Sequence, residues 1–377
     1  MNQKRKVFAI YAITKHGLEA AKKIKQSIPE ADLFVSRRVI NQAPAGSIEL
    51  SLPLGPQLAG VWKNYDCHIF VVSVGAVMRL TKDLLENKKV DPAVVCVDDA
   101  ARFSICLLSG HVGRGNLYTQ QVADLLGAIP VITTASDSLG TLSADILGRE
   151  LGWTLDDPDR NVTTACAEVV NGNRTLFVQE TGEPNFWPLN AVWPPGVEYT
   201  TSLEGVDPQD YAMLLIASDR NIAVTHPDHW RQSVIYRPKS LVLGMGCDRD
   251  TPLDVLEKGM LRFLETEGLS LKSVKAIVSI DKKADEVALI ALAEKYEWPF
   301  VVYPAQELDE VSGIEYPSEV VKKYVGTCSV AEAACLLHAG AERLLMPKKS
   351  YTQSKEGKNM TMAIARIPFP QREPVQK

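Results

Sequence analysis

His111 stands within Leu108-Ser109-Gly110-His111-Val112-Gly113-Arg114-Gly115-Asn116, which follows the apolar run Phe103 to Leu108 and enters an amphipathic stretch. Glycines let backbone N–H groups come close to a ligand, and the amino end of the next helix favours negative charge. Gly110, Gly113 and Gly115 then shape an anion-binding turn, flanked by Ser109 and Asn116. An imidazole in its mouth has the chemistry of a general acid or base. The plainer alternative is a tight strand-to-helix turn whose histidine only hydrogen-bonds the backbone. A second glycine-punctuated turn, Leu243-Gly244-Met245-Gly246-Cys247-Asp248, reads as a backbone nest for carboxylates. Two such loops predict two α/β units that together grip a polyanionic small molecule. Neither loop is a Walker A motif or G-x-G-x-x-G, so nucleotide binding has little support.

Other candidates sit near these loops or at similar strand ends. Asp98, with Asp99, follows the apolar run Val94 to Val97 and reads either as a carboxylate that orients His111 or as turn chemistry. Gly75 and Arg79 follow the run Ile69 to Val74, and Arg79, Lys82, Lys88 and Lys89 form a basic cluster. Lys282 could pair with a ligand carboxylate and Glu286 could act as acid or base; the alternative for both is a solvated helix start. Ser329-Val330-Ala331-Glu332 has the form of a capping box, which explains both polar residues and leaves Glu332 a secondary catalytic candidate. Cys247 has no histidine near it in sequence, and His226 with His229 lacks a third metal ligand.

The elements that must position these residues are read from hydrophobic periodicity. The chain has 377 residues, enough for two or three domains. A net charge of −5 argues against general nucleic-acid binding and requires local positive charge to hold an anion. Seven cysteines without a CxxC read as reduced thiols in a cytoplasmic protein. No apolar run is long enough for a membrane span, and the basic start with its short apolar stretch reads as a first strand. Strands at 7–13, 69–74, 94–97 and 102–108 alternate with helices at 17–27, 77–85 and 116–126, which predicts a doubly wound parallel sheet. Ligands bind beyond the carboxyl ends of such strands, so Gly75, Asp98 and Gly110 are expected on one rim. Segments 41–56 and 348–359 read as loops, and Arg237 to Ser240 as a linker. The predicted fold class is multi-domain α/β: an N-terminal α/β domain (1–138), a small α+β middle insert (139–239) and a C-terminal α/β domain (240–377).

Taken in order, several segments resemble the CbiG family of cobalamin-biosynthesis proteins, the cobalt-precorrin-5A hydrolases. They are Val74 to Arg79, Asp91 to Val95, Leu107 to His111 with Gly113 and Asn116, and Pro130 to Ala135. Gly244 to Cys247, Lys282 with Asp285-Glu286, Ser329 to Ala334 and Met362 to Arg366 complete the set. The resemblance implies a cobalt tetrapyrrole substrate rich in carboxylates. Its δ-lactone is opened and C20 with its methyl is expelled as acetaldehyde, giving cobalt-precorrin-5B. It implies no cofactor beyond the cobalt of the substrate, transient contact with neighbouring pathway enzymes, and no nucleic-acid or membrane partner. On this reading His111, Asp98 and Glu332 are the catalytic candidates. Gly75, Arg79, Ser109, Gly110, Gly113, Asn116, Gly244, Gly246, Cys247, Lys282, Glu286 and Ser329 contact substrate. Two rival readings are a non-catalytic tetrapyrrole carrier and a phosphosugar or nucleotide-binding enzyme.

Overall fold

The computed structural model describes residues 5–51, 53–187, 192–353 and 357–372. The chain forms two compact units, Met1–Ile146 and Leu147–Lys377. The first is built on a seven-stranded sheet of order β3-β2-β1-β4-β5-β6-β7. Its strands are β1 (Lys6–Ala12), β2 (Asp32–Ser36), β3 (Ile48–Leu50), β4 (Tyr65–Val71), β5 (Ala93–Val97), β6 (Phe103–Leu108) and β7 (Ile129–Val131). The central strands are apolar at consecutive positions because both faces are covered. Ile10, Ile69 and Val95 face Leu18 and Ile24 of helix α1 (Lys15–Ser27), while Tyr11, Phe70 and Val94 pack on the other side with Leu58 and Trp62.

The sheet is parallel except where β5 meets β6. Five residues join these strands, too few for the crossover that a parallel neighbour needs. They form a hairpin, with Val94 opposite Leu108 and Val97 opposite Ser104. The parallel-rich α/β sheet is as expected, but the single rim expected for Gly75, Asp98 and Gly110 is corrected by this reversal. Helices α3 (Gly115–Leu126) and α4 (Ala135–Leu139) flank the site, and α2 (Val74–Thr81) follows β4. Segment 41–56 is not one loop, since it contains β3 and the start of a helix at Leu54.

The second unit carries two sheets. The first has order β10-β9-β11-β12-β8, from β8 (Thr154–Leu155), β9 (Thr175–Gln179), β10 (Val197–Thr200), β11 (Met213–Ala217) and β12 (Ser233–Arg237). Only β8, on the edge, runs antiparallel. The proposed linker at Arg237 is braced. Its guanidinium is 2% exposed and donates to Asp156 and to the carbonyls of Ser218 and Arg220. Ser240 donates to buried Asp219, which also accepts two 2.7 Å bonds from Arg366.

The last sheet has order β15-β14-β13-β17-β16, from β13 (Leu241–Cys247), β14 (Val274–Ile280), β15 (Phe300–Tyr303), β16 (Leu344–Thr352) and β17 (Asn359–Arg366). Helix α5 (Leu253–Thr266) covers one face through Leu256, Met260 and Phe263, and α7 (Val330–Ala339), preceded by the short α6 (Glu319–Val325), covers the other. Of segment 348–359, expected as a loop, residues 348–352 belong to β16 and Asn359 to β17, paired antiparallel; the part at 354–356 lies outside the described residues. None of the described helices is long and apolar enough to cross a membrane.

Candidate active site

The loop after β6 presents His111 to two carboxylates. Nε2 lies 2.7 Å from Asp137 and Nδ1 lies 3.2 Å from Asp145. The Ser136 hydroxyl is 3.1 Å from Nε2 and accepts from Ser143 at 2.8 Å. Asp137 also accepts from the Thr134 hydroxyl at 2.6 Å and from Asn116 Nδ2 at 2.9 Å, and Asn116 Nδ2 reaches Thr134 at 2.8 Å. The hydrogen bond with Asp145 raises the imidazole pKa; the bond with Asp137 and both negative charges add to it, against the effect of burial. Burial pushes the Asp145 carboxyl upward, but the hydrogen bond and charge of His111 outweigh it and hold the group below its ordinary value. An ion pair with a carboxylate on each nitrogen favours the imidazolium, so this group arrives as a proton donor. The side chain of Asp145 is 14% exposed and that of Asp137 is 42%, so Asp137 faces the open side.

Glycines allow this loop to fold on itself. A Cβ on Gly110 would lie 2.7 Å from Asn116 Oδ1, and one on Gly113 would lie 2.4 Å from Ser109 Cβ. The N–H groups of Gly115 and Asn116 donate to the Ser109 and Gly110 carbonyls, and the Ser109 hydroxyl donates to the Asp91 carbonyl. Those groups are taken up inside the turn, so its glycines serve close packing around His111.

Asp98 does not join this cluster. Its Oδ1 accepts from the N–H groups of Arg102 and Phe103 at 2.8 and 2.7 Å, which shapes the β5–β6 hairpin. β6 runs six residues from that turn to Leu108, so ~20 Å of strand separates Asp98 from the His111 loop. Gly75 and Arg79 lie in exposed α2, past the same ends of β4 and β5 as Asp98, and Arg79 donates to the Gly75 carbonyl at 2.6 Å. Gly110 is on the opposite rim, with the carboxyl ends of β6 and β7. Of the basic cluster, Lys88 acts on the His111 site, since its charge lowers the Asp145 carboxyl further.

In the second unit, Gly246, Cys247, Lys282 and Ser329 line one cavity of about 410 Å³. Gly244 does not belong to it. The expected turn at 243–248 is strand through Cys247, paired with β17 from Gly244 opposite Ala363 to Cys247 opposite Met360. Gly244 is needed because α7 lies directly on it. Glu286 is 2% exposed and braces the cavity from behind, accepting from the Asp250 N–H at 3.0 Å and pairing with Lys283 at 2.8 Å. Glu332 is fully buried; its carboxylate accepts the N–H groups of Glu315, Tyr316 and Lys348, which ties one loop and β16 to α7. Both glutamates therefore hold backbone, contrary to their expected contact with substrate. Burial raises the Cys247 thiol, which disfavours the thiolate that a nucleophile needs.

Sequence reasoning missed Asp137 and Asp145. The one available signal for Asp137 was the Thr134-x-x-Asp137 spacing just past β7; Asp145 carries none. His226 and His229 contact Thr225 and the Val206 carbonyl, and among the described residues no group of His, Cys, Asp and Glu is arranged to hold a metal.

Three family models match successive parts of the chain: Cobalamin synthesis G N-terminal at residues 57–137, Cobalamin biosynthesis central region at 142–238, and Cobalamin synthesis G C-terminus at 241–365. A cobalt-precorrin-5A hydrolase of Priestia megaterium is 36% identical over 370 residues, covering 96% of this chain and 95% of that protein. Another of that name, from Salmonella typhimurium, is 29% identical over 360 residues, covering 95% and 97%. Among solved structures, CobE of the cobalamin (vitamin B12) biosynthetic pathway is 33% identical with a TM-score of 0.31, over 35% of this chain and 94% of its own. With an end-to-end relative at this identity and matches in all three regions, the chain belongs to the CbiG family of cobalamin-biosynthesis proteins.

Proposed function

We propose that the chain is a cobalt-precorrin-5A hydrolase. It opens the δ-lactone of a ring-contracted cobalt tetrapyrrole and releases C20 with its methyl as acetaldehyde. The observation that carries this reading is the 36% identity running through 96% of the chain to a protein of that activity. The cobalt enters as part of the substrate, and the chain works as an enzyme of the cytoplasm that meets its pathway neighbours transiently.

The His111 cluster supports a two-step use of one proton. Water adds to the lactone acyl carbon, the acyl–oxygen bond breaks, and the departing ring oxygen takes the imidazolium proton. One proton of the water passes to solvent and the other stays on the new carboxyl group. The now neutral imidazole then takes the proton of the freed C20 hydroxyl. The bond from C20 to the macrocycle breaks, its electron pair passes into the conjugated ring, and C20 departs as the aldehyde carbon. Asp145 and Asp137 hold the imidazole in place and favour its reprotonation. Asp98 and Glu332 have no part in these steps.

Anaerobic incubation with cobalt-precorrin-5A tests the reading, with acetaldehyde coupled to NADH oxidation by added alcohol dehydrogenase. Stoichiometric acetaldehyde is expected. Pigment binding without acetaldehyde overturns it.

A further inference from the structure

Ser329 is 1% exposed, and its hydroxyl has no hydrogen-bond partner among the described residues. Its sequence context promises one. Ser-x-x-Glu at a helix start should form a capping box, in which the serine accepts a first-turn N–H and the glutamate returns to the serine. Neither half is made. Ser329 caps no N–H of α7, and the Glu332 carboxylate is held by the N–H groups of Glu315, Tyr316 and Lys348. A buried hydroxyl without a partner is a cost that folds retain where something else supplies the partner. Ser329 lines the cavity in the C-terminal sheet domain, beside the amino end of a ten-residue helix.

The charges around that cavity point the same way. Lys282 Nζ contacts only the carbonyls of Tyr324 and Val325, and Lys348 Nζ only that of Tyr316, among the described residues. Neither ammonium is neutralised by a carboxylate, whereas neighbouring Lys283 and Arg249 are paired with Glu286 and Asp285. Among the described residues the one carboxylate on the wall, Asp248, accepts the Asn359 N–H at 2.8 Å. Ile280, Val321, Val325 and Val330 supply apolar wall. A hydroxyl, a helix amino end and two unneutralised ammonium groups against hydrocarbon suit an organic acid better than a fully hydrated inorganic anion.

We infer that this cavity seats a carboxylate borne on an apolar body, with Ser329 and the amino end of α7 holding the carboxylate and Lys282 and Lys348 balancing its charge. That the body is the acid-decorated tetrapyrrole rests on the reading under Proposed function; the carboxylate seat does not.

Titration calorimetry of the full chain tests it, with dicyanocobyrinic acid, its heptamethyl ester and inorganic phosphate as probes. The free acid should bind and the ester should bind at least about tenfold more weakly, as expected when a charge-assisted hydrogen bond is lost. Ser329→Ala should weaken the acid without lowering Tm, since no cap bond is removed. Ser329→Asp should weaken it further, because a second carboxylate at the seat repels the first, and Ser329→Ala, which buries no charge, carries the test if the aspartate variant folds poorly. Lys282→Gln, at an exposed side chain, should weaken the acid alone. Equal binding of acid and ester, displacement of the acid by millimolar phosphate, or wild-type affinity in Ser329→Asp overturns the site. Acetaldehyde absent from a chain whose acid binding falls in the Ser329 variants overturns the hydrolase reading and leaves the site standing.

Discussion

Gly244 and Ala331 meet with no space between strand and helix: a Cβ on Gly244 would lie 1.8 Å from the Ala331 carbonyl oxygen. Gly244→Ala must therefore push α7 off β13. Overpacking of this kind costs about 1–3 kcal/mol. A lower Tm and an unchanged denaturant m-value are expected, and an unchanged Tm would show that the helix yields freely.

His111 and Asp145 set a pH window. The His111 pKa is raised, so its contribution to stability is complete below the unfolded imidazole value near 6.5 and is lost as pH rises through the higher folded value. The Asp145 pKa is lowered, so its contribution is present above its unfolded value near 3.8 and is lost as pH falls through the lower folded value. Asp145→Asn should thus cost most in Tm between those limits. Its His111 titration, followed by the ring C–H resonances in NMR, should move to lower pH, and the alkaline limb of acetaldehyde release should move with it. A limb that stays in place would show that His111 is not the titrating acid.

Asp98 was a catalytic candidate in sequence and is a turn residue in the fold. Asp98→Asn keeps an oxygen for the Arg102 and Phe103 N–H groups and should leave both Tm and kcat near wild type. Asp98→Ala loses both bonds and should cost ~1 kcal/mol of stability with kcat intact. A large fall in kcat for the asparagine variant would return Asp98 to the chemistry.

Glu332→Gln offers one acceptor oxygen where three N–H groups now share two, and turns an amide donor toward at least one of them. A buried polar group left unsatisfied costs about 1–3 kcal/mol. Urea denaturation should show that loss, with the Glu315–Tyr316 amides exchanging hydrogen faster than in wild type.

These outcomes mark where residue order was informative. β4 and β5 were readable because unbroken apolar runs imply a sheet covered on both faces. The reversal at β6 was also within reach, since five residues cannot carry a crossover, yet the alternation of apolar runs suggested a uniform direction. The pairing of His111 with Asp137 and Asp145 joins residues 26 and 34 positions apart and depends on tertiary placement. The same competition explains the failed capping box, because distant backbone N–H groups took Glu332 first. At Gly244 the glycine signalled close approach of a helix, not a bend in the chain.

β17 is the last strand among the described residues and sits inside its sheet, between β13 and β16. The N-terminal sheet has all its strands once Val131 has been made. The C-terminal one lacks an interior strand until synthesis reaches Arg366. During translation, β13 and β16 therefore wait with unpaired edges, and this half of the molecule is where a nascent chain most needs chaperone cover.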